Sequence, residues 1–238
     1  MSNMQAMENE QAKIRLMRSN VESKDPSAKE ADDAMIRRFL RACNLDVEKA
    51  SAKFLKYLKW RRSFVPNGSI SESEIANELA QQKLFMQGFN KKGQPISVSF
   101  GAKHFQNKND PDEFKRLMVY SYDKLCARTP PGQEKFVLIS DLKGWKYANS
   151  DLRGHISSLT ILQDYYPGRL GKCYVVNAPY LFMTVWKSIS PFLDEKTKKK
   201  IIFVDNKKLK STLLEKIDES QLPEIYGGQL PLVPIQDS

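Results

Sequence analysis

The stretch YYPGRLGKCYVVNAPYLFMTVWKSISPFLDEKTKKKIIFV, residues 165 to 204, decides the fold. It contains two short apolar runs, 174–176 and 201–204, rich in the aromatic and β-branched residues typical of strands. Residues 179–199, between these runs, are numerous enough for a helix. Two strands joined through a helix form a crossover connection, so the stretch predicts two parallel strands of one sheet.

The same alternation continues toward the N-terminus. Further apolar runs lie at 84–86, 96–100 and 136–139, and segments that can each form a helix lie at 112–128 and 151–164. Strands that alternate with helices are typical of a mostly parallel sheet covered by helices. We therefore predict an α/β domain over residues 81–238.

Residues 1–80 have the pattern of a small helical unit. Ser27 and Glu30 have the spacing of a capping box, which predicts a helix beginning there, and Ser71 and Glu74 repeat that spacing. Two apolar stripes with helical spacing lie between these signals, and we expect them to pack together. The stripes are Met35, Ile36, Phe39, Leu40 and Cys43, followed by Val47, Ala50, Phe54, Tyr57, Leu58 and Trp60.

Composition narrows the class of protein. The net charge of +10 indicates an anionic partner, either a nucleic acid or a membrane surface. The 3 cysteines form no CxxC pair, which is typical of reduced thiols in the cytosol. No apolar run approaches the roughly 20 residues of a membrane-spanning helix, and the first residues lack a secretory signal. We expect a soluble intracellular protein.

The motifs of several enzyme classes are absent from the sequence. No strand is followed by GxGxxG or GxxxxGK[ST], and no GxSxG pentapeptide occurs. His104 falls in a polar loop and His155 near a helix start, where surface roles are common, so we expect no catalytic residue. We also expect no metal site, because the histidines and cysteines lack ligand spacing. Nucleic-acid binding is disfavoured, since the lysine run 196–210 contains only the aromatic residue Phe203.

Residues 179–193 are apolar on more than one helical face, whereas an ordinary surface helix has one narrower stripe. Two explanations fit this pattern. The helix is either buried between the sheet and its neighbours, or it is a movable cover over an apolar cavity.

A set of linked motifs resembles the CRAL-TRIO family, and within it the compact phosphatidylinositol/phosphatidylcholine transfer proteins. The motifs occur in the family's order across residues 30–230. They are RFLRA at 38–42, WR at 60–61, DLKG at 141–144, YYPGRLGKCYVVNAP at 165–179, PFLD at 191–194 and LPEIYGG at 222–228.

This resemblance implies a helical N-terminal unit and an α/β/α lipid-binding domain whose sheet floors an apolar pocket. A gate helix at about 179–199 would close over one lipid and open at an anionic membrane. The protein would be a cytoplasmic, transiently membrane-associated monomer with a lipid ligand and no cofactor. The expected pocket and gate residues are Phe136, Leu138, Leu162, Tyr166, Phe182, Val185, Trp186, Ile189, Phe192 and Ile202.

The resemblance also implies a headgroup site. Thr197 and Lys200 match family positions that bind phosphate, and we include the neighbouring Lys198. Two family positions differ, because Cys43 stands where an arginine is usual and Gly168 where a glutamate is usual. Phosphatidylinositol or another phospholipid is therefore expected, with its identity open.

Two alternatives remain open from the sequence. The family positions that carry hydroxyl groups for choline lipids correspond to Phe136, Leu138 and Leu162, which favours a less polar ligand such as a sterol or isoprenoid. A lipid sensor or adaptor that presents its lipid to an enzyme has the same sequence features as a carrier.

Overall fold

The computed structural model describes residues 3–238. Within that range no helix is both long and apolar enough to cross a lipid bilayer. The chain divides into two compact units, one ending at Ser69 and the other beginning at Ile70.

The boundary between the units lies closer to the N-terminus than the boundary at residue 80 that the sequence pattern suggested. The Glu113 carboxylate accepts hydrogen bonds from the backbone N–H groups of Asn77, at 2.8 Å, and Glu78, at 3.1 Å. Arg116 Nε donates to the Glu74 carbonyl oxygen at 3.1 Å. These bonds attach residues 70–80 to the larger unit.

The N-terminal unit is helical. Its helices are α1 (Asn3–Lys24), α2 (Asp33–Ala42) and α3 (Val47–Phe64). Helix α2 begins later than the predicted start at Ser27, because the Asp25 carboxylate accepts hydrogen bonds from the Ser27 N–H and hydroxyl and holds a short 3-10 turn there. The two apolar stripes pack together, with the rings of Phe39 and Phe54 5.1 Å apart.

The larger unit is built on a five-stranded sheet of order β1-β2-β3-β4-β5. The β1–β2 pair is antiparallel and the other pairs are parallel, so the predicted α/β fold with a mostly parallel sheet is confirmed. The strands are β1 (Leu84–Phe89), β2 (Pro95–Phe100), β3 (Phe136–Asp141), β4 (Leu170–Val176) and β5 (Ile201–Phe203). The helices are α4 (Ala76–Ala80), α5 (Glu113–Arg128), α6 (Leu152–Tyr165), α7 (Phe182–Ile189), α8 (Glu195–Lys198) and α9 (Leu209–Leu214).

The sheet has two faces of different composition, because successive side chains of a strand point to opposite sides. One face packs into a continuous core with the C-terminal elements, formed by Val98, Val137, Tyr174, Val176, Leu213, Ile217, Leu222 and Tyr226. The other face carries Ser97, Leu138, Cys173 and Ile201, which are cross-strand neighbours in register. These four side chains line a cavity.

A buried carboxylate joins the C-terminal segment to the end of β3. Asp141 is 4% exposed and accepts a hydrogen bond from the Tyr226 hydroxyl at 2.8 Å. It also accepts from Asn177 Nδ2 at 3.0 Å and from the Lys143 backbone N–H at 2.8 Å. Burial, together with the neighbouring Asp141, raises the pKa of Tyr226, so its hydroxyl stays a donor. The bonds hold the segment after α9 against the sheet.

Replacing Tyr226 by phenylalanine should lower the free energy of unfolding by about 1.5–3 kcal/mol, because a buried carboxylate loses a donor. Urea titration followed by circular dichroism measures this difference. Tyr180→Phe is the matched control, since the Tyr180 side chain is 95% exposed and its hydroxyl should contribute little. Equal loss of stability in both variants would contradict the role given to the Asp141 contact.

Candidate functional site

A cavity of about 180 Å³ lies between the second face of the sheet and helices α5, α6 and α7. Its wall is mainly apolar, and an apolar cavity binds an apolar ligand more readily than water. The apolar side chains of the wall include Leu84, Phe114, Met118, Tyr122, Leu138, Leu142, Trp145, Leu159, Val175, Phe182, Trp186, Ile189 and Ile201.

Helix α7 covers this cavity. Phe182, Trp186 and Ile189 share one helical face and all line the cavity. The Phe182 ring lies edge-on to Trp145 at 5.3 Å, and the Trp186 ring lies 5.4 Å from Phe203. These ring contacts therefore pack α7 against the other residues of the cavity wall.

The segment expected as one gate helix, 179–199, is instead three short pieces. Helix α7 ends at Ile189, a 3-10 turn covers Ser190–Phe192, and α8 follows. Pro191 has no N–H for a continuing helix. The Asp194 carboxylate accepts the Thr197 N–H at 2.6 Å, which starts a new helix there. The part of this segment that lines the cavity is thus α7.

Several residues expected in the pocket wall lie outside it. Phe136 is fully buried and its ring stacks against Tyr122 at 6.0 Å, while the Tyr166 hydroxyl donates to Asp123 at 2.7 Å. Leu162 and Val185 are buried without lining the cavity, Phe192 is 55% exposed, and Ile202 packs on the opposite face of the sheet. Leu138, Phe182, Trp186 and Ile189 are the expected residues that do line the cavity.

The expected headgroup residues also lie outside the cavity wall. Thr197 is buried in α8, and Lys198 pairs with Glu195 at 2.9 Å. Lys200 is half-buried, and burial followed by repulsion from Lys135 lowers the pKa of its ammonium group. Lys200 therefore lies in a group of cations beside the start of β5, adjacent to the cavity-lining Ile201.

A chain of hydrogen-bonded, ionisable side chains reaches the cavity wall at Lys83 and His104. The Lys83 ammonium nitrogen lies 2.7 Å from His104 Nδ1, and His104 Nε2 lies 3.1 Å from Asp151 Oδ2. Lys83 also contacts the Glu78 carboxylate and donates to Gln81 Oε1 at 2.8 Å. Lys83 and His104 are only 4% and 2% exposed, and burial lowers the pKa of Lys83. Both ring nitrogens of His104 are thus occupied by charged neighbours.

A second histidine faces the cavity. The His155 ring lies 5.3 Å from His104 and 5.7 Å from Phe114, and all three line the wall. Burial, followed by repulsion from His104, lowers the pKa of His155 to about 4. Its imidazole is therefore neutral at physiological pH and offers one donor and one acceptor. The interpretation of the two histidines as surface residues was wrong for His104, which is buried, while His155 is half-buried.

The cavity wall also carries hydroxyl groups, from Ser97, Ser99, Ser121, Ser140 and Ser158. The arrangement supplies hydrogen bonds to a polar group inside a mainly apolar enclosure. It is not arranged for nucleophilic catalysis through His104, because Nδ1 contacts Lys83 rather than a serine hydroxyl. Among residues 3–238 no group of three or more histidine, cysteine, aspartate or glutamate residues is placed to hold a metal ion.

Comparison with known proteins places these features in a family. The CRAL/TRIO domain matches residues 79–228, which contain the whole sheet and every residue of the cavity wall. The chain belongs to the CRAL/TRIO family. The Sec14 cytosolic factor of Schizosaccharomyces pombe is 34% identical over 83% of this chain and 74% of its own length.

Two further proteins resemble this chain, one of them much longer and the other less similar in sequence. The phosphatidylinositol/phosphatidylcholine transfer protein SFH12 of Arabidopsis thaliana is 29% identical over 84% of this chain. The matched region is 40% of that protein, so the chain spans less than half of it. The crystal structure of Sfh5 superposes with a TM-score of 0.66 and 19% identity, covering 87% of this chain and 84% of the other, which shows a shared fold.

One departure from the CRAL/TRIO pattern has a structural explanation. Gly168, which stands where a glutamate is usual, has φ of 74°, a left-handed conformation that favours glycine. A glutamate at this position would be strained in the present turn. The turn leads directly into β4.

One feature of the sequence indicates that His104 and Asp151 lie close together at the cavity. His104 follows β2 and Asp151 follows β3, and the carboxyl ends of neighbouring parallel strands meet at one edge of a sheet. Lys83 arrives at that edge because it precedes β1, which is antiparallel to β2. Sequence spacing alone does not reveal the contact, because these residues are far apart along the chain.

The pKa of His155 predicts a change in acid stability. The unfolded chain takes up a proton near pH 6.5, whereas folded His155 does so only near pH 4, so stability present above pH 6.5 is lost as the pH falls. His155→Gln should remove on the order of 2–3 kcal/mol of this loss between pH 7 and pH 4. Urea unfolding of both proteins at several pH values measures the difference. If the free energy of unfolding changed with pH in the same way in both proteins, the prediction that burial lowers the pKa of His155 would be wrong.

Proposed function

We propose that this protein binds one phospholipid inside the cavity under α7 and transfers it between membranes. The observation that carries the proposal is a mainly apolar cavity whose cover is a separate eight-residue helix. The matched relatives support it, since their names describe phosphatidylinositol/phosphatidylcholine transfer and a cytosolic factor. The protein acts without covalent chemistry or a cofactor, as a cytosolic monomer that contacts membranes transiently.

The size of the cavity requires α7 to move. A cavity of about 150 Å³ holds a molecule such as benzene, and the cavity here is about 180 Å³. A diacyl phospholipid is many times larger than benzene. We infer that lipid loading displaces α7 from Trp145 and Phe203.

The same hydrophobic effect requires the cover to close again. Each methylene removed from water contributes roughly 0.8 kcal/mol, so a diacyl lipid with about 30 methylenes resists exposure to water by some 20 kcal/mol. A carrier has to keep these chains covered until it meets a bilayer. The apolar face of α7 provides that cover.

The polar wall suits the uncharged or zwitterionic part of the lipid. The Lys83 ammonium is already paired with Glu78 and bonded to Gln81, so it is largely neutralised. Neutral His155 and the serine hydroxyls offer hydrogen bonds without a net charge. A phospholipid fits this combination, whether its headgroup is inositol or another group.

A charge on the cavity face of α7 should abolish lipid loading. Trp186→Glu introduces a carboxylate into the apolar wall, whereas Ser188→Glu introduces the same group at an exposed position of the same helix. Lipid extracted from each purified protein is measured by mass spectrometry, and circular dichroism confirms folding. We expect bound phospholipid in the Ser188 variant and at least a tenfold reduction in the Trp186 variant.

Wild-type protein without lipid and without transfer between vesicles would overturn the carrier function. If a folded Trp186→Glu variant still contained a full amount of lipid, Trp186 would not contact the bound lipid. The two results separate the function from the assignment of its cover.

Lys200 provides a test of headgroup preference. Its half-buried ammonium group, together with Lys135, is placed to attract a phosphate group. Lys200→Ala should reduce transfer of phosphatidylinositol several-fold more than transfer of phosphatidylcholine between vesicles. Lys199→Ala, an exposed neighbouring change, is the control. Equal reduction for both lipids would argue against a headgroup role for Lys200.

A further inference from the structure

The surface around the start of α7 exposes large apolar side chains that the internal core does not use. Tyr180 is 95% exposed and Leu181 is 41% exposed. On the segment that joins β3 to α6, Tyr147 is 58% exposed and Leu152 is 42% exposed. Exposure of several such side chains at one place is typical of an interaction surface.

Ring contacts bring the two segments together. The Trp145 ring lies 6.0 Å from Tyr147 on one segment and 5.3 Å from Phe182 on the other. Trp145 and Phe182 both line the cavity. The exposed side chains therefore surround the part of the cavity wall where the cover begins.

Most charges at this place are positive, although the exposed carboxylate of Asp112 lies close enough to Arg153 to interact with it. Lys143, Lys146, Arg153 and Lys187 are all exposed. The carboxylate in residues 142–153, that of Asp151, is 5% exposed and engaged with His104, and residues 178–193 contain no acidic residue. Apolar and aromatic side chains flanked by cations match an anionic bilayer, where the rings enter the interface and the cations approach lipid headgroups.

We infer that the docking face, formed by residues 143–153 together with Tyr180, Leu181 and Lys187, attaches the protein to an anionic membrane. This inference rests on the proposed function, because it identifies where the lipid carrier meets its membrane. Docking at the start of α7 places the cover against the bilayer, so a displaced α7 exposes the cavity to lipid rather than to water.

The lysine-rich segment 196–210 is the competing surface. Its charge is partly compensated, since Lys198 pairs with Glu195 at 2.9 Å and Asp205 caps the following turn. Phe192, which precedes this segment by four residues, is an exposed apolar side chain. The docking face carries more exposed apolar side chains than that segment, and its own residues include no exposed carboxylate, which makes it the better match to a membrane.

Two double variants test the docking face against a matched control. Tyr180→Ser with Leu181→Ser removes apolar contacts, and Lys143→Ala with Lys146→Ala removes charge. Lys207→Ala with Lys208→Ala removes the same charge from the competing segment. Binding is measured by co-sedimentation with phosphatidylserine-containing vesicles and with pure phosphatidylcholine vesicles, and bound lipid is measured by mass spectrometry.

We expect wild-type protein to bind the anionic vesicles more tightly than the neutral ones. The Lys143/Lys146 variant should bind the anionic vesicles roughly 10- to 30-fold more weakly, since each lysine near such a surface contributes about 1 kcal/mol. The Tyr180/Leu181 variant should lose affinity for both vesicle types, and the Lys207/Lys208 variant should bind like wild type. Bound lipid should be unchanged in all three, because none of the altered residues lines the cavity.

Absence of binding to anionic vesicles, or a loss in the Lys207/Lys208 variant as large as that in the Lys143/Lys146 variant, would overturn the docking face. Neither result would affect the proposed function if the purified protein still contains phospholipid. Absence of bound phospholipid together with intact vesicle binding would have the opposite meaning. The docking face would then stand while the carrier function fell.

Discussion

Alternation of side chains along the strands is the constraint on which the rest of the structure depends. Each strand contributes to a solid core on one face of the sheet and to a cavity wall on the other. Val137 and Tyr174 pack against the C-terminal elements, while their neighbours Leu138 and Cys173 face the cavity. A slip of one residue in register would exchange the two sets and place the serines of β2 in the core.

The cavity on one face of the sheet affects the side chains that line it. A mainly apolar void contributes fewer dispersion contacts than a packed core, so its cover is held less firmly than the opposite face. The charged residues at the edge of the cavity compensate one another, with Lys83 between Glu78 and His104. Burial keeps His155 neutral instead. The closed cavity is thus polar in places but carries little uncompensated charge.

Much of the fold was predictable because strand and helix patterns are local. The apolar runs at 136–139, 174–176 and 201–204 became neighbouring parallel strands. The cavity face of α7 also appeared in the sequence, as Phe182, Trp186 and Ile189. The break of the 179–199 segment was missed because its apolar character concealed the effects of Pro191 and Asp194.

The contacts among Lys83, His104 and Asp151 were not predictable from sequence spacing, because the strands of the sheet bring these distant residues together.

The contact between Asp141 and Tyr226 joins residues 85 positions apart and has a consequence for protein synthesis. At a translation rate of about 5–20 residues per second, the Asp141 carboxylate exists for roughly 4–17 s before its tyrosine partner is made. During that interval the face of the sheet that the C-terminal elements cover in the folded protein lacks that cover.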